Sequence, residues 1–255
     1  PTNGGSIDFV AKNVGIKGHA EDILVEMSRA LERGQTLEEV EVDTLLVEGV
    51  ARGADGEDRP IRTLGFASAA GGIGQRFFEK LFEAGHHTTK TILSVTAKTV
   101  ASYPVAMTPL RHVPGMPKLL RSYAGEMFKP TLARVLVDGQ VLPRVDCRAI
   151  NIASMNIDLG GVFRFFGKAA QEGQLHAIVG APPPIAVIAN LPLMMLGAKL
   201  SAPNTFDGGC KELTMEAVGE ELLAPVIDGE LYPDVRRMTF SVGPRVRIPK
   251  VVARR

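Results

Sequence analysis

Two carboxylates stand two residues apart in Val226-Ile227-Asp228-Gly229-Glu230-Leu231, late in the chain. Asp-Gly between β-branched residues signals a two-residue hairpin turn, because both central positions need positive φ. Backbone geometry alone therefore explains the Asp and the Gly. Val137-Asp138-Gly139-Gln140 is an internal control, the same turn without a second acid, so Glu230 is what sets the later turn apart. Near the start, Gly4-Gly5-Ser6-Ile7-Asp8 reads as a glycine turn with a hydroxyl and an acid at a helix start. N–H groups freed by such a turn, with those of the helix that follows, form a positive concavity that suits a phosphate. A Ser-capped helix after a glycine turn accounts for the same residues without a ligand.

The opening segment resembles the diacylglycerol kinase and sphingosine kinase family of lipid kinases, bacterial members included. There, a Pro and a Gly-Gly-Thr-x-Asn stretch precede a short helix ending in Leu-Gly-Ile. Gly4 and Gly5 match the glycines, Ser6 stands where Thr is usual, Asp8 falls on the Asn, and Ala11, Gly15 and Ile16 fit; Phe9 departs. The family also carries a near-identical Asp-Gly-Glu turn toward its C-terminal end. Between these anchors Asn151, Gly160, Gly161 and Gly173 are in place, as are Leu191-Pro192-Leu193 and Gly197-Ala198-Lys199. Glu172 and His176 stand where the family has two Asp, which argues against the divalent-metal loop of some bacterial relatives, since hard cations prefer carboxylate oxygen to imidazole. Ser68 to Gly74, followed by Arg76, falls where the family has a small-residue turn lining the cleft between two domains; an ordinary strand-to-helix turn fits equally.

The resemblance implies an α+β fold, a mainly antiparallel β-sandwich with added helices like the C-terminal domain of NAD kinase and diacylglycerol kinase. Residues 1–36 would then be a remnant of the nucleotide-binding domain and 37–255 the sandwich. It implies ATP and Mg2+ as cofactors and a lipid hydroxyl, of diacylglycerol or sphingoid type, as acceptor. Asp228 and Glu230 would be catalytic, one as general base, and Gly4, Gly5, Ser6, Asp8 and Arg76 would meet the nucleotide. An alcohol is a poor nucleophile, so a carboxylate must take its proton as the bond to phosphorus forms. The family's Gly-Gly-Asp-Gly-Thr loop is expected just before Pro1 and occurs nowhere in the sequence, so this chain alone is expected to lack activity. A non-catalytic lipid-binding or regulatory module on the same fold is the competing reading, and an NAD kinase relative is a third.

Composition bounds these readings. A chain of 255 residues, 45% hydrophobic, can bury one large core or two modest ones. The formal charge of +1 gives no field to recruit nucleic acid. Cys147 and Cys210 lack metal-ligand spacing and read as free thiols of a cytoplasmic protein. Peripheral membrane contact is expected on two grounds. The stretch from Ala177 to Ala198 carries no charge, although its prolines argue for a short strand and a short helix, not a span. After Asp234 the chain has only basic charges, Arg236, Arg237, Arg245, Arg247, Lys250, Arg254 and Arg255, which suit an anionic bilayer or a solvated strand face. A homodimer is left open. His86-His87, at a predicted helix end, is assigned no metal.

Periodicity supplies the elements. Helices are predicted over His19 to Arg33, Gly74 to Ala84, Thr89 to Tyr103 and Ile185 to Leu196. A Pro-rich connection from Pro104 to Pro130 is predicted irregular apart from a short helix at Lys118 to Tyr123. Strands are predicted over Val40 to Val47, Ile61 to Phe66, Ala133 to Leu142 as a hairpin, Val145 to Ala153, Leu175 to Val179, Glu212 to Ala217, Leu222 to Ile227, Glu230 to Tyr232, Met238 to Val242 and Arg245 to Ile248.

Overall fold

The computed structural model describes residues 9–85 and 88–252. Short α1 (Phe9–Asn13) leads to α2 (Ala20–Glu32), where Glu21 and Asp22 in the first turn and Arg29 in the last suit the helix dipole. There follow β1 (Glu39–Arg52), β2 (Asp58–Gly65), β3 (Ala67–Gly72), α3 (Ile73–Glu83), α4 (Thr89–Ala106) and α5 (Lys118–Met127). Next come β4 (Thr131–Val137), β5 (Gln140–Val141), β6 (Asp146–Cys147), β7 (Ala149–Ala153), β8 (Ile157–Leu159), β9 (Phe163–Phe165) and β10 (Leu175–Gly180). The chain finishes with α6 (Pro184–Met195), β11 (Thr205–Cys210), β12 (Glu212–Ala217), β13 (Val226–Ile227), β14 (Glu230–Leu231) and β15 (Val235–Pro249).

The strands make a sandwich. One sheet runs β2-β1-β15-β12-β4-β5, with β6 also on β4; the other runs β11-β10-β7-β3-β13-β14, and pairing within both is antiparallel. Alternation along the strands assigns each sheet face. Ile150 and Ile152 of β7 and Leu175, Ala177 and Val179 of β10 point into the core shared with Leu213, Met215 and Phe240 of the facing sheet. Ala149, Asn151 and Ala153 point the other way. On that side a third layer, made by α3 to α6 and the β8–β9 hairpin, closes a second core around Leu81, Ile92, Val95, Met127, Phe163 and Val187. The segment before β1 buries Ala11, Val14, Ile16 and Ile23 against Ile248 and Val251 at the end of β15.

The expected α+β sandwich with added helices is present, and the departures have local causes. Met238 to Val242 and Arg245 to Ile248 are one strand, because a bulge opposite Thr44 absorbs Gly243-Pro244 and the Thr44 hydroxyl donates to the Pro244 carbonyl. The strand predicted from Leu222 shrinks to Val226–Ile227 behind Pro225, which has no N–H to give. In α4 the helix runs through Pro104 to Ala106, which is buried, and α5 extends to Met127, also buried. The segment Ser68 to Gly74, predicted as a turn, is mostly strand: β3 is buried along its whole length between β7 and β13. Only its last residue makes the turn, since a Cβ on Gly72, at positive φ, would collide with the Arg148 carbonyl. No described helix is long and apolar enough to cross a membrane.

Candidate functional site

The two Asp-Gly turns have the same internal construction. Asp138 and Asp228 both adopt positive φ, followed by a glycine that does the same. Each uses its N–H and its carboxylate to staple the turn to a neighbouring strand. Asp138 donates to the Glu212 carbonyl and accepts from the N–H groups of Lys211 (2.8 Å) and Glu212 (2.9 Å). Asp228 donates to the Ala67 carbonyl and accepts from the N–H groups of Phe66 (2.9 Å) and Ala67 (2.9 Å). Burial pushes the Asp228 carboxyl above the ordinary carboxylate range; the Ala67 and Phe66 N–H groups pull it down, and the Glu230 charge raises it again. The aspartates are thus first of all structural. The Glu230 carboxylate accepts no hydrogen bond within the described residues, and the residue is solvent-exposed.

What the later turn adds is its location. Asp228, Gly229 and Glu230 line a cavity of about 650 Å³ between the β3–β7–β10 face and the helical layer. The volume is in the usual range for small-molecule sites. Its wall is overwhelmingly apolar, with Phe77, Phe78, Phe163, Phe165, Ile188 and Leu191 among the lining side chains. Ala67, Ser68 and Ala69 of β3 supply the floor, and their small size leaves the space open. Ser68, Thr96 and Thr99 also line it, but each hydroxyl donates to a backbone carbonyl, of Val226, Ile92 and Val95 respectively. Among the described residues, that leaves Glu230 and Asn151 as the polar side chains with unused hydrogen-bonding capacity in the wall.

Asn151 was legible in the sequence only as part of the resemblance, with no role attached. On β7 it pairs with Ala69 of β3, and Ala69 pairs with Val226 of β13, next to the acidic turn. Its amide oxygen sits against the Gly74 backbone in the first turn of α3, where a Cβ would collide with it. A glycine is therefore required there for the amide to face the cavity.

Gly4, Gly5, Ser6 and Asp8 lie outside the described residues, as do His86 and His87. Val10 and Ala11, which follow them on α1, line the same cavity as Glu230. Arg76 does not line it: one turn into α3, its guanidinium pairs with Glu79 at 3.3 Å. Glu172 pairs with Arg245 at 2.7 Å. His176 is buried, accepts the Lys168 N–H at Nδ1 and so donates from Nε2 to Asp207 at 2.7 Å. The other Asp207 oxygen accepts the Leu200 N–H, so this dyad ties β10 and β11 to two segments that line the cavity. No group of three or more metal-ligating side chains gathers among the described residues. The thiols are buried, and burial raises Cys147 to about 11 and Cys210 to about 12, out of nucleophilic range.

Fold and cavity together define an α+β sandwich protein with an apolar pocket closed by an acidic hairpin. No protein-family model matches the chain, and no curated protein matches it by sequence. Solved structures do match in fold. A chain from Bacillus anthracis str. Sterne described as "a putative diacylglycerol kinase" superposes with a TM-score of 0.52 at 12% identity over 94% of this chain. A second structure with that description and source gives 0.50 at 14% identity, again over 94% of this chain. This chain spans 64% of the length of each. The architecture is therefore diacylglycerol kinase-like.

Proposed function

We propose that this chain is the lipid-accepting part of an ATP-dependent lipid kinase, which transfers a γ-phosphate to the hydroxyl of a diacylglycerol or sphingoid lipid. The observation that carries the reading is a carboxylate with no partner among the described residues, Glu230, at the wall of a cavity lined mostly by apolar side chains. Such a cavity solvates acyl chains, and the carboxylate at its edge is where a head-group hydroxyl would come. Glu230 takes the hydroxyl proton as oxygen bonds to phosphorus and the β–γ bridge breaks. Asp228, with both oxygens occupied, fixes the hairpin that aims Glu230. Asn151 donates from its amide to the lipid head group or to a phosphate oxygen.

The nucleotide would sit toward the Gly4–Asp8 segment, which precedes the cavity-lining part of α1. Magnesium usually keeps waters and substrate phosphates as ligands beside one or two carboxylates. Glu230 serves as the base and no metal-ligating cluster gathers among the described residues, so the ion would be held by the nucleotide phosphates and waters, where it would offset phosphate charge. The likeness in fold supports a kinase. The competing reading, a lipid-binding module without catalysis, is favoured by the engagement of Glu172 and His176 with Arg245 and Asp207. Phosphate transfer from radiolabelled ATP by the complete open reading frame, against a mixed lipid extract, separates the two. A labelled lipid supports the kinase; lipid retention without label supports the module.

A further inference from the structure

Among the described residues, the basic side chains after Asp234 are already engaged in ion pairs. Arg236, Arg237, Arg245, Arg247 and Lys250 each pair with an acid on β1, β2, β12 or the segment before β1, among them Asp58, Glu216, Glu41 and Glu38. That face is neutralised. Free positive charge lies instead in the helical layer. From Ala84 through Gly125 the sequence has no acid, and from Gly173 through Phe206 its only formal charge is Lys199. Lys90 and Lys98 of α4 and Lys199 after α6 are exposed and make no ion pair within the described residues.

The same layer shows an apolar face to solvent. Along α6, Ile185, Ala189, Pro192 and Leu193, with Leu196 at its C-terminal end, are exposed at a spacing that puts them on one side. Leu196 is 78% exposed. The opposite side of the helix, through Val187, Ile188, Leu191 and Met194, lines the cavity. A soluble helix normally buries its apolar stripe and wets the other side; this one has no polar side. The β8–β9 hairpin bridges the start of α4 and the segment after α6. Thr89, beside Lys90, donates to the Gly160 carbonyl at its tip, and Arg164 of β9 lies against Gly197, next to Lys199.

We infer that the outer face of α6, with Lys199 and the start of α4 beside it, docks on an anionic phospholipid leaflet. Leu193 and Leu196 enter the acyl region while the lysines meet head groups. Because α6 separates that face from the cavity by one helix thickness, a lipid reaches Glu230 from the leaflet by passing round the helix, without crossing water. This rests on the proposed lipid-accepting role and names the surface that serves it.

The test is co-sedimentation of the full chain with vesicles of phosphatidylcholine alone or with about one-third phosphatidylglycerol, and light scattering in their absence. Wild type is expected on the anionic vesicles, and Leu196→Glu and Lys199→Glu each to weaken binding on the order of tenfold. Arg247→Glu, on the sandwich face, should bind as wild type does. Circular dichroism checks that the variants fold. Wild-type binding by Leu196→Glu, or loss of binding only with Arg247→Glu, overturns the inference. So does a dimer that Leu196→Glu converts to monomer, which would make the face a contact between two copies. Activity of the complete protein on detergent-dispersed lipid keeps the two ideas apart: transfer without docking removes only the surface, and docking without transfer removes only the kinase.

Discussion

Exchanging each hairpin acid for its amide separates structural from chemical roles, because three side chains in two similar turns are used differently. In Asp228→Asn the amide keeps one acceptor oxygen and turns an NH2 toward a backbone N–H of Phe66 or Ala67 that had donated to a carboxylate. Losing one charge-assisted bond there costs about 1.5–3 kcal/mol before relaxation. The burial that raises the Asp228 carboxyl offsets part of this, so the expected loss is about 1–2 kcal/mol. Asp138→Asn breaks the equivalent staple to Lys211 and Glu212 and should lose a similar amount. Glu230→Gln breaks no internal bond and should change stability by less than about 0.5 kcal/mol. Phosphate transfer by the complete protein should order them differently: Glu230→Gln down roughly 10²- to 10⁴-fold, Asp138→Asn unchanged. Urea unfolding reads the first set and radiolabelled transfer the second. A Glu230→Gln variant that turns over normally, or that unfolds as readily as Asp228→Asn, would refute the division of labour.

Gly74→Ala should push the Asn151 amide aside, lowering transfer and raising KM about as much as Asn151→Ala does, with the fold intact by circular dichroism; a full-rate Gly74→Ala enzyme would remove Asn151 from the site. Asp207→Ala leaves the buried His176 Nε2–H and the Leu200 N–H without an acceptor, and thermal unfolding should report a loss of about 3 kcal/mol or more. For Asp228 the folded pKa is raised, so its contribution to stability is fully present below the ordinary value of 3.8 and is lost as pH rises through the folded value. Glu230→Gln removes one cause of that rise, so carboxyl NMR should show Asp228 titrating lower and the loss becoming smaller.

The sandwich was legible because strands such as β4 alternate buried with more exposed residues and its turns carry Asp-Gly, where the backbone requirement and the residue type coincide. β3 was not legible. Ala-Ser-Ala-Ala-Gly-Gly has low strand propensity and looks like a turn; it is a strand because both faces are covered, and its residues are small because a cavity lies above them. β8, β9 and β11 escaped for similar reasons, two being three residues long and the third containing Gly208-Gly209. Glu230 stood out by contrast with the control turn, a comparison internal to the sequence. The structural work of Asp228 could not be read, since its partners Phe66 and Ala67 lie 162 and 161 positions earlier in the chain. The basic C-terminal strand misled for the same reason: Arg245 and Arg247 find their acids on β1, across the sheet.

The account depends most on a lipid chain lying in the α6-walled cavity with its hydroxyl at Glu230. Photo-crosslinking with a diacylglycerol that carries a diazirine along its acyl chain tests this directly, with labelled peptides mapped by mass spectrometry. Saturable labelling of Phe163–Phe166 and Ile188–Met194, abolished by Ile188→Trp, is the expected result. Labelling spread over the outer face of the sandwich, or undiminished in Ile188→Trp, would contradict it.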